Sequence, residues 1–400
     1  MEVGRFAVIF RAMGDNEDMF YRVELENTLG GRRKLKKGDR KTISPFALLS
    51  HERFGRAGSW DIIGDDIYWI GGIKLNSEGM TRVCNELIKH NMTSDDPTVW
   101  ETVSSSMKIP RASPFFTAVG GKKLYAVLGT AYRPPDEDEE LAPDWDRCGE
   151  VYDIQDKTWH YLDPDVEDFY DYDPFDAAFV KGENGEPTDI VFYDPPQRPL
   201  MFFNFHSKTL RFAPDPSSSF AGWFSHPDSP PLFHAINNLK TVFHNNTFYW
   251  FARDLRLYGY DIVSQTWSVS PSLKDRCPTL QFRPYSPILI GLGNGKFVVI
   301  LDEPIHPPSL SFTMAFLAVQ KQQDSCIFSV SVESLQAFSL DNHPLPFFDA
   351  KAIKLKNTGL GTVRGQRKTE KIDSRTKALI STFVVGGLGI LLVKRLQHRN

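Results

Sequence analysis

The sequence contains Val-Tyr-Asp-Ile-Gln-Asp-Lys-Thr-Trp at residues 151–159 and Gly-Tyr-Asp-Ile-Val-Ser-Gln-Thr-Trp at residues 259–267. Both segments read Tyr-Asp-Ile, three further residues, and Thr-Trp. The alternation up to the isoleucine is typical of a half-buried strand, and the polar residues after it favour a tight turn. The tryptophan then begins a second strand and packs across the pair. Each segment is therefore predicted to be a β-hairpin.

Weaker copies of this hairpin recur along the chain, at residues 21–25, 87–100, 203–210 and 328–335. The copies are spaced about 50 to 70 residues apart, close to the length of one propeller repeat with loop insertions. A unit of this size cannot bury its apolar face alone, so successive units must pack against one another. We therefore expect an all-β chain that forms a single β-propeller with six blades.

The strand before each hairpin also repeats. A polar or glycine turn leads into an apolar strand at residues 65–72, 120–129, 245–251 and 291–300. Two of these strands end in glycine, which indicates a place where two backbones pass closely. Each unit is thus predicted to contain this strand followed by the hairpin.

One unit carries further motif residues. Gly71-Gly72 follows Ile67-Tyr68-Trp69, and Trp100 and Pro110-Arg111 come after them. This unit resembles a kelch repeat, and the two Tyr-Asp-Ile segments are similar to its third strand with the tryptophan beyond it. The resemblance covers most of residues 1–350 and is greatest to the divergent propellers of plant F-box/kelch proteins. Later units lack the double glycine, so five or seven blades stay open as alternatives to six.

The two ends of the propeller are predicted to meet. The chain opens on a predicted strand pair, residues 5–10 and 19–25, and we expect it to lack the helical F-box that the plant proteins carry. If the first blade begins in mid-unit, a later segment such as residues 347–356 must supply its missing strand. Such a closure removes exposed sheet edges.

Composition supports a β-rich globular domain. Of 400 residues, 41% are hydrophobic and 24% are charged, and 30 Phe, 13 Tyr and 8 Trp provide the aromatic side chains that strands favour. A net charge of −4 gives no reason to expect a nucleic-acid partner. The four cysteines are far apart and are predicted to be buried or free thiols in a reducing compartment: Cys84, Cys148, Cys277 and Cys326.

No secretory signal is expected, because the first apolar run covers only residues 6–10. The Asn-X-Thr sequons at residues 91–93 and 245–247 are therefore predicted to stay unmodified.

Charged and histidine residues are the remaining site candidates. Residues 30–41 are rich in Lys and Arg, which suits a solvated loop or a polyanion patch, and residues 136–146 and 163–176 are acidic. Neither acidic run has EF-hand spacing, so we expect no metal. Four histidines could converge in a central channel, although an ordinary loop or core position is the simpler interpretation: His206, His226, His234 and His244.

The sequence carries no motif of a metalloprotease, an α/β-hydrolase, a P-loop protein or a dinucleotide-binding protein. The Tyr/His/Cys set of a kelch-type copper oxidase cannot be mapped onto it. We therefore expect no enzyme activity, no catalytic, cofactor-binding or metal-binding residues, no cofactor and no small-molecule substrate. The residues that bind a partner cannot be named from the sequence.

The C-terminal segment differs from the rest of the chain. Residues 378–393 are sixteen uncharged residues, and residues 351–377 before them contain nine Lys/Arg and two acidic residues. As a helix, the uncharged run would span roughly 24 Å at 1.5 Å per residue, a short membrane span. We expect a propeller over residues 1–350, a basic flexible linker over 351–377, a hydrophobic transmembrane helix over 378–393 and a short basic tail over 394–400.

These features predict a non-catalytic protein-interaction scaffold, tail-anchored in an organelle membrane and facing the cytosol. The outer membrane of mitochondria, peroxisomes or plastids suits a short span with basic flanks. Its protein partner is expected at the propeller loops, with the acidic insertions and Phe169, Tyr170 and Tyr172 as contact surface. The alternative is a soluble substrate-recognition subunit of a ubiquitin ligase, with the C-terminal segment packed into the fold.

Overall fold

The computed structural model describes residues 6–14, 16–25, 41–75, 81–103, 105–131, 149–162, 176–182, 187–194, 198–204, 207, 209–213, 242–251, 255–273, 287–302, 310–321, 327–340 and 347–355. Contacts divide the chain into Met1–Lys356 and Asn357–Asn400. The second unit, which includes the predicted span at residues 378–393, lies outside the described residues. Within the described part of the chain, no helix is long and apolar enough to cross a membrane.

The described residues are almost entirely in strands. In chain order the elements are β1 (Phe6–Met13), β2 (Glu17–Leu25), β3 (Lys41–Ile43), β4 (Ala47–Ser50), α1 (His51–Phe54), β5 (Ser59–Ile63), β6 (Asp66–Ile70), β7 (Ile73–Leu75), β8 (Thr81–Val83), β9 (Leu87–Asn91), β10 (Glu101–Thr102), β11 (Arg111–Ala112), β12 (Phe115–Val119), β13 (Lys123–Val127), β14 (Thr130–Ala131), β15 (Gly149–Asp153), β16 (Thr158–Tyr161), β17 (Asp176–Lys181), β18 (Pro187–Asp194), β19 (Arg198–Asn204), β20 (Thr209–Phe212), β21 (Val242–His244), β22 (Thr247–Phe251), β23 (Leu257–Asp261), β24 (Thr266–Val269), β25 (Ile288–Gly293), β26 (Lys296–Asp302), β27 (Leu310–Lys321), β28 (Phe328–Leu340) and β29 (Phe347–Lys354).

Six of the sheets have four or five strands and form the blades of a propeller. They are blade 1 (β29-β1-β2-β4), blade 2 (β5-β6-β9-β10), blade 3 (β12-β13-β15-β16), blade 4 (β17-β18-β19-β20), blade 5 (β21-β22-β23-β24) and blade 6 (β25-β26-β27-β28-β3). The first strands of successive blades contact each other, as β5 does with β12 and β25 does with β29. The predicted all-β, six-bladed propeller is confirmed.

Apolar side chains fill every interface between neighbouring blades. Separate clusters of buried residues lie between blades 1 and 2, 2 and 3, 3 and 4, 4 and 5, 5 and 6, and 6 and 1. The Trp250 and Trp267 rings stack within blade 5 at 5.6 Å between centroids. Because the six clusters complete the circle, both faces of each sheet are covered, and the ring closes without an unpaired blade.

The ring closes through the C-terminal strand. β29 pairs antiparallel with β1, with Arg11 opposite Asp349, so blade 1 combines the two ends of the propeller. The predicted opening strand pair and the predicted closing segment are both observed. β29 continues to Lys354 and so takes in the first residues predicted as linker, because the free edge of β1 supplies backbone partners to that point.

The two Tyr-Asp-Ile segments are hairpins, as predicted, and form the third and fourth strands of blades 3 and 5. Tyr152 lies opposite Trp159, with ring centroids 5.2 Å apart, and Tyr260 lies opposite Trp267 at 5.0 Å. The aspartate after each tyrosine caps the turn. For example, Asp261 Oδ1 accepts hydrogen bonds from the backbone N–H groups two and three residues later, both at 3.0 Å. The shared motif therefore encodes the turn as well as the ring pair.

The weaker copies of the hairpin differ in their outcome. In blade 2, His90 takes the tyrosine position and its ring lies 5.2 Å from Trp100, and in blade 4 the Asn204 side chain caps the turn. The hairpin predicted at residues 328–335 is wrong, because β28 is one continuous strand of 13 residues paired along its length with β27. The serines there alternate with apolar residues and do not form a turn, since that segment has no glycine, asparagine or aspartate.

Asp261 also ties blade 5 to blade 6, because Lys321 Nζ lies 2.7 Å from its Oδ2 atom. Burial opposes ionisation, but the hydrogen bonds from Lys321 and from the turn outweigh it and hold the pKa of Asp261 below its ordinary value. A carboxyl group with a lowered folded-state pKa stabilises the fold above its unfolded pKa of about 3.9, and this stabilisation is lost as the pH falls through the folded value.

We expect Asp261→Asn to lower the free energy of unfolding at pH 7 by about 1 kcal/mol, because the amide keeps an acceptor for the turn and loses the ionic bond to Lys321. The deficit should shrink below pH 4. Urea unfolding at pH 3 and pH 7 measures it, with Lys321→Met as the second arm of a double-mutant cycle. Additive effects of the two substitutions would refute the coupling.

Candidate binding site

A row of side chains crosses blade 2 on its face toward blade 1. Trp60 lies opposite Trp69, Trp69 opposite Ile88, and Ile88 opposite Thr102. Trp60, Trp69 and Ile88 are buried in the cluster between the two blades, and Thr102 at the outer end is exposed. The row therefore runs from the first strand of the blade to solvent at its last strand.

A pocket of 170 Å³ opens at the outer end of this row. Its lining is mixed. The apolar part consists of Phe54, Trp69 and Ile88, and the polar part consists of Arg53, Lys74, Glu86 and Thr102. The short helix α1 places two of these residues on opposite sides. Ser50 Oγ accepts from the N–H of Arg53, and Phe54 is buried whereas Arg53 is exposed. Trp69 and Ile88 form an apolar floor beneath a charged rim.

Cations cluster around this rim. Lys74 Nζ lies 3.6 Å from Glu86 Oε1, and Arg82 lies opposite Lys74 in the β7–β8 ladder. Arg56 pairs with Ile73 in an isolated bridge, so its side chain shares the face of Ile73 and not that of Lys74. Within the described ranges, the guanidinium groups of Arg53, Arg56 and Arg82 have no ion pair. Arg53 lies over its neighbouring Phe54 ring, 4.8 Å from the centroid.

Trp69 is held rigidly beneath the pocket. The Arg11 guanidinium lies 4.5 Å from the centroid of its ring, and Arg11 donates to the Gly58 carbonyl at 3.0 Å and to Asp18 Oδ2 at 3.1 Å. A side chain at Gly58 would come within 2.4 Å of the Trp69 ring. His51 Nε2 lies 3.2 Å from Asp18 Oδ1. Arg11 and Asp18 are fully buried, so this network joins blade 1 to blade 2 in a low-dielectric interior.

The structure brings the kelch-like residues together behind the pocket. The N–H of Gly72 donates to the carbonyl of Arg111 at 3.1 Å, and Arg111 Nη1 donates to the Leu128 carbonyl at 3.1 Å. Gly71 has φ +69, and a Cβ there would lie 2.3 Å from the Arg111 oxygen. The double glycine is therefore required so that the chain leaving β6 can pass the segment that leads into blade 3.

We expect Gly71→Ala to lower the free energy of unfolding by more than about 2 kcal/mol, since it combines left-handed backbone strain with steric overlap. Gly121→Ala is the matched control, because Gly121 has φ +68 and nothing lies within 4 Å of its Cβ position. The control should lose only about 1 kcal/mol. Equal losses in the two variants, measured by urea unfolding, would contradict the close approach.

Glu150 fixes the segment that precedes Arg111. Its Oε2 atom accepts from the N–H of Lys108 and its Oε1 atom from the N–H of Ile109, both at 2.8 Å. The side chain is fully buried. Burial raises the pKa of Glu150, and the two backbone hydrogen bonds oppose that rise. One buried carboxylate thus satisfies two backbone donors in the connection between blades 2 and 3.

Most of the predicted site candidates lie outside the described residues. These are His206, His226 and His234, the acidic run at residues 136–146, residues 163–175 of the second acidic run, residues 30–40 of the basic run, and the aromatics Phe169, Tyr170 and Tyr172. His244 is described at the end of β21. Its Nε2 atom accepts from the N–H of Gly295 at 3.4 Å, and burial lowers its pKa. The structure therefore gives His244 a packing contact next to blade 6.

Metal and thiol chemistry find no support in the described part of the chain. No group of three His, Cys, Asp or Glu residues there could hold a metal ion. Cys84 is free and buried, and burial raises the pKa of its thiol. Its environment is that of an unreactive core residue. The sequon residue Asn91 is engaged in blade 2, where its side chain donates to Asp66 at 2.7 Å.

Comparisons with known proteins add little to this picture. No family model matches the chain, and no curated protein matches its sequence. Among solved structures, YjhT shares 13% identity, with 81% of this chain and 96% of YjhT covered and a TM-score of 0.45. TolB from Acinetobacter baumannii shares 9% (84% and 66% covered, TM-score 0.42), and a copper-bound fungal alcohol oxidase of the AA5 family shares 12% (86% and 64%, TM-score 0.40). Likenesses this weak carry no argument about function.

Proposed function

We propose that this chain is a non-catalytic protein-interaction scaffold, a kelch-like propeller that is tethered to a membrane by residues 378–393. The observation that carries the scaffold function is the closed six-bladed ring, which holds α1 and the β7–β8 hairpin as a rigid frame around a pocket at one end of blade 2. Rigid connections on a propeller are suited to binding a partner surface. The contact of Gly71 and Gly72 with Arg111 supports the kelch resemblance.

The membrane tether is inferred from the sequence of the C-terminal segment. Sixteen uncharged residues between Lys377 and Lys394 are long enough for a short span if the basic flanks reach the lipid headgroups. The basic run at residues 351–377 would add attraction to anionic lipid, about 1 kcal/mol for each cation near the surface. In this arrangement the propeller faces the cytosol at an organelle membrane, such as that of mitochondria, peroxisomes or plastids.

Carbonate extraction of membranes tests the tether. We expect the full chain, tagged at its N-terminus, to resist extraction, and a chain that lacks residues 373–400 to become soluble with an unchanged β-rich circular dichroism spectrum. Val385→Glu is the control within the full-length chain, since one carboxylate in the middle of the span should also release it. If all three forms are soluble, or the shortened chain unfolds, residues 378–393 belong to the fold. The soluble substrate-recognition subunit of a ubiquitin ligase then becomes the better interpretation.

A further inference from the structure

We propose that the pocket beside α1 takes one large apolar side chain of a protein partner, from a segment in which acidic residues flank that side chain. This inference rests on the scaffold function proposed above and names the partner's chemistry. The residues at its rim are ones that the sequence does not distinguish from ordinary surface positions.

The size and floor of the pocket indicate which side chain of the partner it would bind. Its volume of 170 Å³ is close to the roughly 150 Å³ that holds a benzene ring in an apolar protein cavity. Trp69 and Ile88 at the floor are each less than 3% exposed, and Arg11 and Gly58 hold Trp69 in place. A preformed recess with an apolar floor loses little entropy when an aromatic or leucine side chain enters it.

The charges at the pocket rim indicate which residues should flank this side chain in the partner. Three cations lie at the opening: Arg53 and Lys74 line it, and Arg82 lies opposite Lys74 on the same face of the β7–β8 ladder. Against Glu86, the one carboxylate of the lining, they leave a local charge of +2 (3 − 1) in a chain whose net charge is −4. Guanidinium groups bind carboxylates in a bidentate manner. An acidic peptide therefore complements this rim, and a basic one does not.

The interspersed carboxylates favour a peptide over a nucleic acid. Glu86 pairs with Lys74 at the pocket mouth, where a phosphate backbone would meet repulsion. A peptide can place single carboxylates against Arg53 and Arg82 and leave Glu86 with its own partner. Nucleic-acid binding is thus the competing outcome of the test.

The probe is a fluorescein-labelled, capped peptide, Glu-Glu-Phe-Glu-Glu, and the full chain is held in mild detergent. Fluorescence anisotropy should rise saturably. Unlabelled Glu-Glu-Ala-Glu-Glu should compete at least about tenfold more weakly than the phenylalanine peptide, and Lys-Lys-Phe-Lys-Lys should not compete.

Two variants and one control locate the binding. Arg53→Glu should weaken it about tenfold or more, and Thr102→Trp, at an exposed position on the pocket wall, should abolish it by filling the recess. Lys122→Glu is the charge-matched control. Lys122 lies in the exposed turn between β12 and β13 of blade 3. This turn is at the opposite end of the blade from the connection between its second and third strands. The substitution should therefore leave binding unchanged. Unchanged thermal unfolding verifies that each variant is folded.

The proposal is overturned if Thr102→Trp binds as tightly as the natural chain, if the alanine peptide competes equally, or if a deoxythymidine decamer competes better than the peptide.

Proximity labelling in cells separates a failure of this proposal from a failure of the scaffold function. Partners labelled equally by the natural chain and by Thr102→Trp would leave a scaffold that uses another surface. If neither form labels any partner, both proposals fall.

Discussion

Replacing Glu150 with glutamine is expected to lower the free energy of unfolding by about 3 kcal/mol, although the two side chains have nearly the same shape. The carboxylate accepts from two backbone N–H groups in a fully buried position. A glutamine amide offers one acceptor oxygen and turns its NH₂ group toward the second donor. One buried N–H is then left without an acceptor.

Urea unfolding at pH 8 measures this loss. Glu101→Gln is the matched control, because the Glu101 side chain is 68% exposed and its pairing with Lys89 contributes little. The control should change the free energy by less than about 0.5 kcal/mol. A loss of that small size at Glu150 would mean that the segment at Lys108 and Ile109 does not depend on the carboxylate.

Arg11→Met should be at least as damaging, with an expected loss of about 3 to 5 kcal/mol, since it leaves the Asp18 carboxylate buried without its cation. Asp18 is 0% exposed, and Arg11 Nη2 lies 2.8 Å from it. The double variant Arg11→Met with Asp18→Asn should recover part of the loss, because the buried charge is then removed as well.

The same unfolding experiment with Arg22→Met provides the control, since Arg22 forms a partly exposed pair with Glu24. Its effect should stay below about 1 kcal/mol. Tryptophan emission should also change in Arg11→Met, because the guanidinium lies over the Trp69 ring. If the double variant is less stable than Arg11→Met alone, the cost does not come from an uncompensated charge.

The architecture could be predicted because local residue chemistry determines each hairpin. Tyr152 and Trp159, like Tyr260 and Trp267, need only a seven-residue spacing to pair across a turn, and the intervening aspartate caps that turn by itself. Ring closure followed from the need to cover the edge of β1. The prediction at residues 328–335 failed because the same apolar alternation continues through a long strand when no residue interrupts it.

The pocket could not be predicted, because its residues come from five elements and the β8–β9 connection, which the sequence separates. Arg53 and Thr102 are 49 positions apart (102 − 53), and nothing in their local patterns indicates that blade packing brings them together. The buried pair of Arg11 and Asp18 has the appearance of an ordinary charged hairpin in the sequence. Its burial depends on Gly58 and Trp69 of the next blade, which is a tertiary property.

The most direct test of the account is whether the propeller is a self-contained ring closed by β29. Urea unfolding should be compared for the full chain, for residues 1–356 and for residues 1–345. We predict one cooperative transition at the same midpoint for the first two forms, and a much lower midpoint or no transition for the third, because removal of β29 exposes the edge of β1 and opens the ring. An unchanged midpoint for residues 1–345 would contradict the closed propeller on which both proposals stand.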